Sequence, residues 1–209
     1  MNNNIHPTAL IESGVIIGEG TRVWDQVHIR RNTRIGRDCI VGEKTHISYD
    51  VRIGDLVKIN AFVYICTGVT IENGVMISAG CIFTNDRFPR AADPQLAALR
   101  SSEPDENTLT TVVREGATIG AGSIVGCGLA IGRFAMVGMG SLITRPVGDF
   151  HLVLGSPART VGYVCRCGRP FFRITDGPRL QEITHVCSGC RRRYAVSNGA
   201  VSESLVATA

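Results

Sequence analysis

The chain has 209 residues, 44% of them hydrophobic and 19% charged, which suffices for a sizeable core and excludes a disordered chain. Gly counts 24 while Phe, Trp and Tyr together count 12, so many similar turns and thin layers are expected rather than one thick aromatic core. The net charge of +4 is mild, and 20 of the 22 basic residues are Arg, a side chain suited to bidentate phosphate or carboxylate recognition. Residues 1–7 carry no basic segment followed by an apolar stretch, and no run of about 18 apolar residues occurs anywhere. A soluble, cytoplasmic protein with no membrane partner is the expectation.

A repeat organises the sequence. Stepping by six from Ile5 gives Ile11, Ile17, Val23, Ile29, Ile35, Val41, Ile47, Ile53, Ile59, Ile65, Ile71, Ile77 and Phe83 without a miss, and the series resumes at Val113, Ile119, Val125, Ile131, Val137 and Ile143. Four residues after each marker stands a small or β-branched residue, such as Ala9, Val15, Thr21, Val27 and Cys39, and Gly often follows the marker directly. A fixed short period of this kind is the signature of a solenoid. Each hexad supplies a strand and a turn, the marker and the small residue point into a narrow core, and Gly or Asn tolerates the corner. Ile and Val fit the axis of so thin a prism, which accounts for the scarcity of rings.

The hexad pattern over residues 5–160 resembles the hexapeptide-repeat acyltransferases. That resemblance implies an all-β fold, a left-handed parallel β-helix with three hexads per coil, and a homotrimer. With coils about 4.8 Å apart, about seven coils would stand about 33 Å tall.

Between Phe83 and Val113 the repeat is suspended for about 24 residues beyond the six that would continue the coil. The excursion is expected to contain a short helical stretch around 94–100, and long excursions from a regular scaffold tend to carry function. Stacking every 18 residues places His28, His46, Tyr64 and Ile82 in one outward column, with Arg30, Ser48, Cys66 and Thr84 in the next, also outward. Two readings stand for the histidines: solvated surface groups, or part of a site where Asn85 leaves the wall.

The segment Phe83-Thr84-Asn85-Asp86-Arg87-Phe88-Pro89-Arg90 is similar to one found in nucleotide-linked 3-amino-sugar N-acetyltransferases, as is Trp24 with His28. Asp25 and Gln26 depart from that pattern. Ile143-Thr144-Arg145-Pro146-Val147 and Gly155-Ser156-Pro157-Ala158-Arg159 resemble segments associated in that branch with coenzyme A. The resemblance implies transfer of acetyl from acetyl-CoA to the amine of a nucleotide-linked amino sugar. Asn85 would position the amine or a water, and Asp86 or His46 would take the proton. His28, Arg30, Tyr64 and Arg90 would contact the acceptor. Arg145, Arg159 and Pro157 would meet the coenzyme's phosphates and adenine. Gly126, Gly138 and Gly140 would leave backbone approachable to its pantetheine arm, or would serve only as corners of the repeat. Cys39 and Cys81 read as core filler. The alternative function is a non-catalytic scaffold on the same solenoid, with the tail as docking element.

Composition changes after Gly162. Cys165-Arg166-Cys167 is followed by Cys187-Ser188-Gly189-Cys190, a four-thiolate spacing that reads as a structural zinc site. The intervening segment is too short for a core of its own. Seven Arg lie between 166 and 193, and they are read as offsetting thiolate charge rather than as a nucleic-acid surface. The expected organisation is a β-helix over 1–162 with an excursion at 86–112, a zinc-ribbon-like element over 163–195, and a disordered tail over 196–209 unless it docks.

Overall fold

The computed structural model describes residues 4–174 and 182–204. All regular structure among them is β. Short strands stack in parallel into three walls, eight strands deep in the first, seven in the second and six in the third. This makes about eight turns, one more than expected, and matches a left-handed parallel β-helix. Register is 18 residues per turn, as in Asn4↔Arg22 and His28↔His46, and becomes 42 across the excursion, as in Val69↔Thr111. The excursion therefore holds 24 extra residues.

The markers form the axis: Ile29, Ile47, Ile65, Ile77, Ile119 and Ile131 are among those fully buried. The small inward position does a second task. Thr21, Thr33 and Thr45 hydroxyls donate to the carbonyls of Gly36, Ser48 and Asn60 at 2.8, 2.7 and 3.0 Å. The same oxygens accept from the amides of Cys39, Val51 and Val63. One hydroxyl thus satisfies two buried backbone groups that a corner leaves unpaired. No buried side-chain N or O among the described residues lacks a partner.

The corners differ from the expectation. Positive φ falls three residues after the marker, at Gly14, Gly20, Gln26, Asn32, Asp38 and onward, and even Leu56 and Phe62 adopt it at 59°. Glycines directly after the marker serve close stacking instead. A Cβ on Gly36 would sit 2.5 Å from the Gly54 carbonyl carbon. Replacing Gly36 by Ala should therefore destabilise the fold by about 1–3 kcal/mol, as overpacking does, measurable by urea denaturation.

Three further expectations are corrected. The 94–100 stretch is not helical: Ala92 bridges Leu99 and the Asp93 amide donates to the Ala98 carbonyl at 3.0 Å. The Asp93 carboxylate takes the Ala97 amide at 2.8 Å and Leu96 turns to φ 57°, so the chain reverses before a helical turn can form. Cys66 does not face outward but is buried in the core, with its thiol pushed up to about 12 by burial.

The tail is also more regular than expected. His151–Gly155, Ala158–Val164 and Pro170–Arg173 extend the first wall, so the boundary expected after 162 falls inside a strand. Arg193–Ser197 pairs with Ala200–Ser204 around Asn198-Gly199, both at positive φ, the two-residue turn that Asn-Gly favours. Residues 200–204 are therefore strand, not disordered, whereas 205–209 lie outside the described residues. The tail docks through the Phe134, Phe150 and Tyr194 rings: Phe134 stacks on Phe150, and Tyr194 meets Phe150 edge-on, each pair at 5.5 Å. Arg166 lies 4.1 Å over Phe134 and reaches Glu115 and Glu203.

Candidate active site

The outward column of the second wall forms a ladder of rings. His28 meets His46 edge-on at 5.0 Å, and His46 stacks on Tyr64 at 5.3 Å. Below them Glu12, which sequence reasoning missed, accepts from the Arg31 amide at 2.9 Å, pairs with His28 Nε2 at 2.8 Å and with Arg30 at 3.3 Å. The Arg31 amide, then His28 and Arg30, hold the Glu12 carboxyl down at about 2. Burial, aided by His28 and Arg30, lowers His46 below its ordinary 6.5, so its imidazole is neutral at pH 7. An unfolded His protonates first as pH falls through 6.5, and the folded one resists. Stability is thus present above pH 6.5 and declines below it. His46→Asn should flatten that part of the slope in urea titrations at pH 7.5 and 5.5.

Beyond the ladder the chain turns a corner. Continuing the register Tyr64↔Ile82↔Ile124↔Leu142 by three positions places Tyr49, Thr67, Asn85, Cys127 and Arg145 in one line up the edge. Asn85 is where the excursion departs, and the Leu109 amide donates to its carbonyl at 2.8 Å on the return. Between the edge and the excursion lies a polar cavity of about 110 Å³, lined by Tyr49, Thr67, Asn85, Asp86, Arg90 and Glu103 among others.

The structure thus brings Asn85, Asp86 and Arg90 together, while His28, Arg30, His46 and Tyr64 stay outside that lining. The half-buried Asn85 amide has no hydrogen-bond partner among the described residues, which leaves both its donor and acceptor for a ligand. Asp86 Oδ1 accepts the Phe88 amide at 2.9 Å, shaping the start of the excursion and leaving its second oxygen. Tyr49 was missed by sequence reasoning, although the 18-residue step from Thr67 and Asn85 could have found it. Arg31 lies 4.5 Å over its ring. Burial, with Glu103 adding to it, raises the Tyr49 phenol, which therefore remains a donor.

The residues expected to hold the coenzyme lie on the later coils. A Cβ on Gly138 would displace the exposed Leu154 side chain, and Gly140 sits at φ 66° in open space. A Cβ on Gly126 would come 3.0 Å from the Ile143 carbonyl. Arg145 is exposed on the edge above Asn85, while Pro157 and Arg159 lie at the hairpin that extends the first wall. These two arginines therefore stand on different parts of the prism. Among the described residues Arg159 bonds only its neighbour's carbonyl, that of Ala158 at 2.8 Å.

In the tail the Sγ atoms of Cys165, Cys167, Cys187 and Cys190 all lie within 4.8 Å of one another. Adjacent pairs stand at 3.2, 3.4 and 3.6 Å, too far for a disulfide and near the roughly 3.8 Å edge of a tetrahedron of Zn–S bonds. Tyr194 Oη lies 3.2 Å from Cys165 Sγ, accepts the Arg166 amide at 3.0 Å and donates to Glu203 at 3.0 Å. This network fixes the first cysteine turn against the second.

The model of the bacterial transferase hexapeptide (six repeats) matches residues 14–49 and 50–85. A dTDP-3-amino-3,6-dideoxy-alpha-D-galactopyranose 3-N-acetyltransferase from Aneurinibacillus thermoaerophilus is 41% identical over 96 residues, 46% of each chain. The bifunctional protein GlmU of Rubrobacter xylanophilus is 27% identical over 183 residues, covering 72% of this chain and 39% of its own. The chain spans less than half the length of the curated relatives it matches. Among solved structures, AntD, an N-acyltransferase from Bacillus cereus in complex with dTDP and 3-hydroxybutyryl-CoA, superposes with a TM-score of 0.54 at 21% identity. That match covers 79% of this chain and 82% of AntD and bears on the fold.

Proposed function

We propose that this chain is an N-acetyltransferase that moves an acetyl group from acetyl-CoA to the amine of a nucleotide-linked amino sugar. The observation that carries this reading is the unpartnered Asn85 amide in a polar cavity, on the edge that leads up to Arg145. The 41% identity to a 3-amino-sugar N-acetyltransferase supports the same chemistry and favours a 3-amino acceptor.

The sugar amine attacks the thioester carbonyl, the C–S bond breaks, and the proton lost by nitrogen ends on the coenzyme thiol. Ring oxygens lower the amine's basicity, so a useful fraction is neutral near pH 7 and no strong base is needed. The Asn85 side-chain oxygen orients the amine, since an amide cannot abstract a proton at this pH. Of the two expected proton acceptors, Asp86 stands in the cavity lining and His46 on the ladder outside it, which favours Asp86. Coenzyme phosphates fall to Arg145 on the edge and Arg159 on the terminal hairpin.

The assembly proposed is a homotrimer working in the cytoplasm. Leu10, Tyr64, Ile82 and Ile124 along the second wall, and Leu96 and Leu99 on the excursion, are exposed apolar surface in the single chain, which suits burial against further copies. The four tail cysteines fit a structural zinc ion, which when bound would tie the two cysteine turns together. Release of free thiol from acetyl-CoA with a panel of nucleotide-linked 3-amino and 4-amino sugars tests the reading. Absence of coenzyme A binding at millimolar concentration would sink it.

A further inference from the structure

The third wall carries an outward column that begins Ile16, Arg34, Arg52 and Thr70, in continuous register. The two arginine stems therefore stand about one strand spacing apart, where like charges repel. Arg30, Arg37, Arg133 and Arg166 each have a carboxylate partner. Arg34 and Arg52 have none among the described residues.

Both line a cleft of about 430 Å³ with Gly54, Thr70 and Glu72, a volume within the range of small-molecule sites. The acidic groups at its rim are engaged. Glu72 Oε2 accepts the Glu115 amide at 3.0 Å, and Glu115 Oε1 pairs with Arg166 at 3.4 Å. Glu72 keeps its own negative charge, held toward the Glu115 amide, while Arg34 and Arg52 are the guanidinium groups of the lining, and their forks match phosphate oxygens.

Position names the ligand. Arg34 lies three residues after Arg31, and Arg52 three after Tyr49, so the cleft begins one corner away from the Asn85 cavity that Tyr49 lines. Three residues of chain span at most about 10 Å. We propose that Arg34 and Arg52 bind the diphosphate of the nucleotide-linked acceptor, with its sugar directed round the corner toward Tyr49 and Asn85. This inference rests on the N-acetyltransferase reading and deepens it. Coenzyme A also carries a diphosphate, but its proposed contacts lie on the coils after Val113, whereas Arg34 and Arg52 lie on coils before the excursion.

Calorimetric titration of the full chain with dTDP, UDP and coenzyme A tests this in wild type, Arg34→Gln and Arg52→Gln. Each exposed substitution should weaken the nucleoside diphosphate about tenfold, the worth of a lost charge-assisted contact, and leave coenzyme A affinity and oligomer mass unchanged. Unaltered dTDP and UDP affinity in both variants overturns the proposal and leaves the acetyltransferase reading intact. Loss of coenzyme A affinity instead assigns the cleft to the coenzyme, and a change of mass assigns it to a neighbouring copy; either overturns the proposal. Wild type that binds none of the three ligands overturns both readings.

Discussion

On the proposed four-thiolate zinc site, replacing Cys187 by Ser should take bound zinc from one ion per chain to none and open the tail to proteases, while the far-UV signature of the solenoid persists. The tail's own core is thin: Phe150, Cys165, Cys187 and Tyr194 are buried, with Phe134, Phe171 and Val201 partly so. Modules below roughly 40 residues seldom fold on such a core without a metal or disulfide. Zinc bound by four thiolates contributes on the order of 10 kcal/mol or more in such modules, far beyond the roughly 1 kcal/mol of any one ring stack. Loss of one ligand should melt the sheet of Ile183–Val186, Arg193–Ser197 and Ala200–Ser204, and expose Phe134 and Phe150 on the last coils. Zinc content by mass spectrometry and limited proteolysis would read the two effects separately. Tyr194→Phe, which removes the hydroxyl beside Cys165 but no sulfur, should retain the metal. A Cys187→Ser protein that keeps its zinc and its protease resistance would contradict the ligand assignment.

The fold was legible because one physical rule repeats. A marker every six residues must face the axis, and a single register then predicts all three walls and the 24-residue excursion. What escaped depended on contacts between distant segments. The left-handed corner position is occupied by Leu56, Phe62 and Phe134 as well as by glycine, so composition did not reveal it. Cys66 follows a marker and should face outward, yet it packs in the core beside a corner where the returning excursion lies against Gly68 at Leu109 and Thr110. Glu12 is one acidic residue in a polar sequence until the next coil sets His28, Arg30 and the Arg31 amide around it. The Asn198-Gly199 turn was readable from its residue types alone, but the surrounding Ala, Ser and Val suggested disorder instead.

The site shows the same division. The segment from Thr84 to Arg90 pointed to Asn85, Asp86 and Arg90, and the structure gathers those three. Outward columns pointed to the histidines, which form their own ladder because ring stacking and Glu12 hold them to the wall. Tyr49 belongs to the cavity only because residues 101–105 of the excursion fold back over it.

Asn85→Ala should lower kcat about 100-fold, the cost of losing orientation of the attacking group, and change the affinity for coenzyme A little. Asn85 lines the cavity and none of the residues assigned to the coenzyme does, so its loss should remove an interaction with the acceptor amine rather than one with the acyl donor. Asn85→Asp should behave differently. A carboxylate at that position can still accept from the amine but also attracts its protonated form, so activity should be lower than wild type and shift toward higher pH. Asp86→Asn separates the remaining roles. Its Oδ1 can go on accepting the Phe88 amide, so the excursion keeps its shape and any loss of turnover reports on proton removal. If Asn85→Ala lowers coenzyme affinity in step with kcat, or unfolds the excursion as judged by proteolysis, then the Asn85 side chain supports the fold of the excursion rather than the reaction. Proportional losses in Asn85→Ala and Asp86→Asn, with a combined variant no worse than either, would mark the two as one unit acting on the same nitrogen.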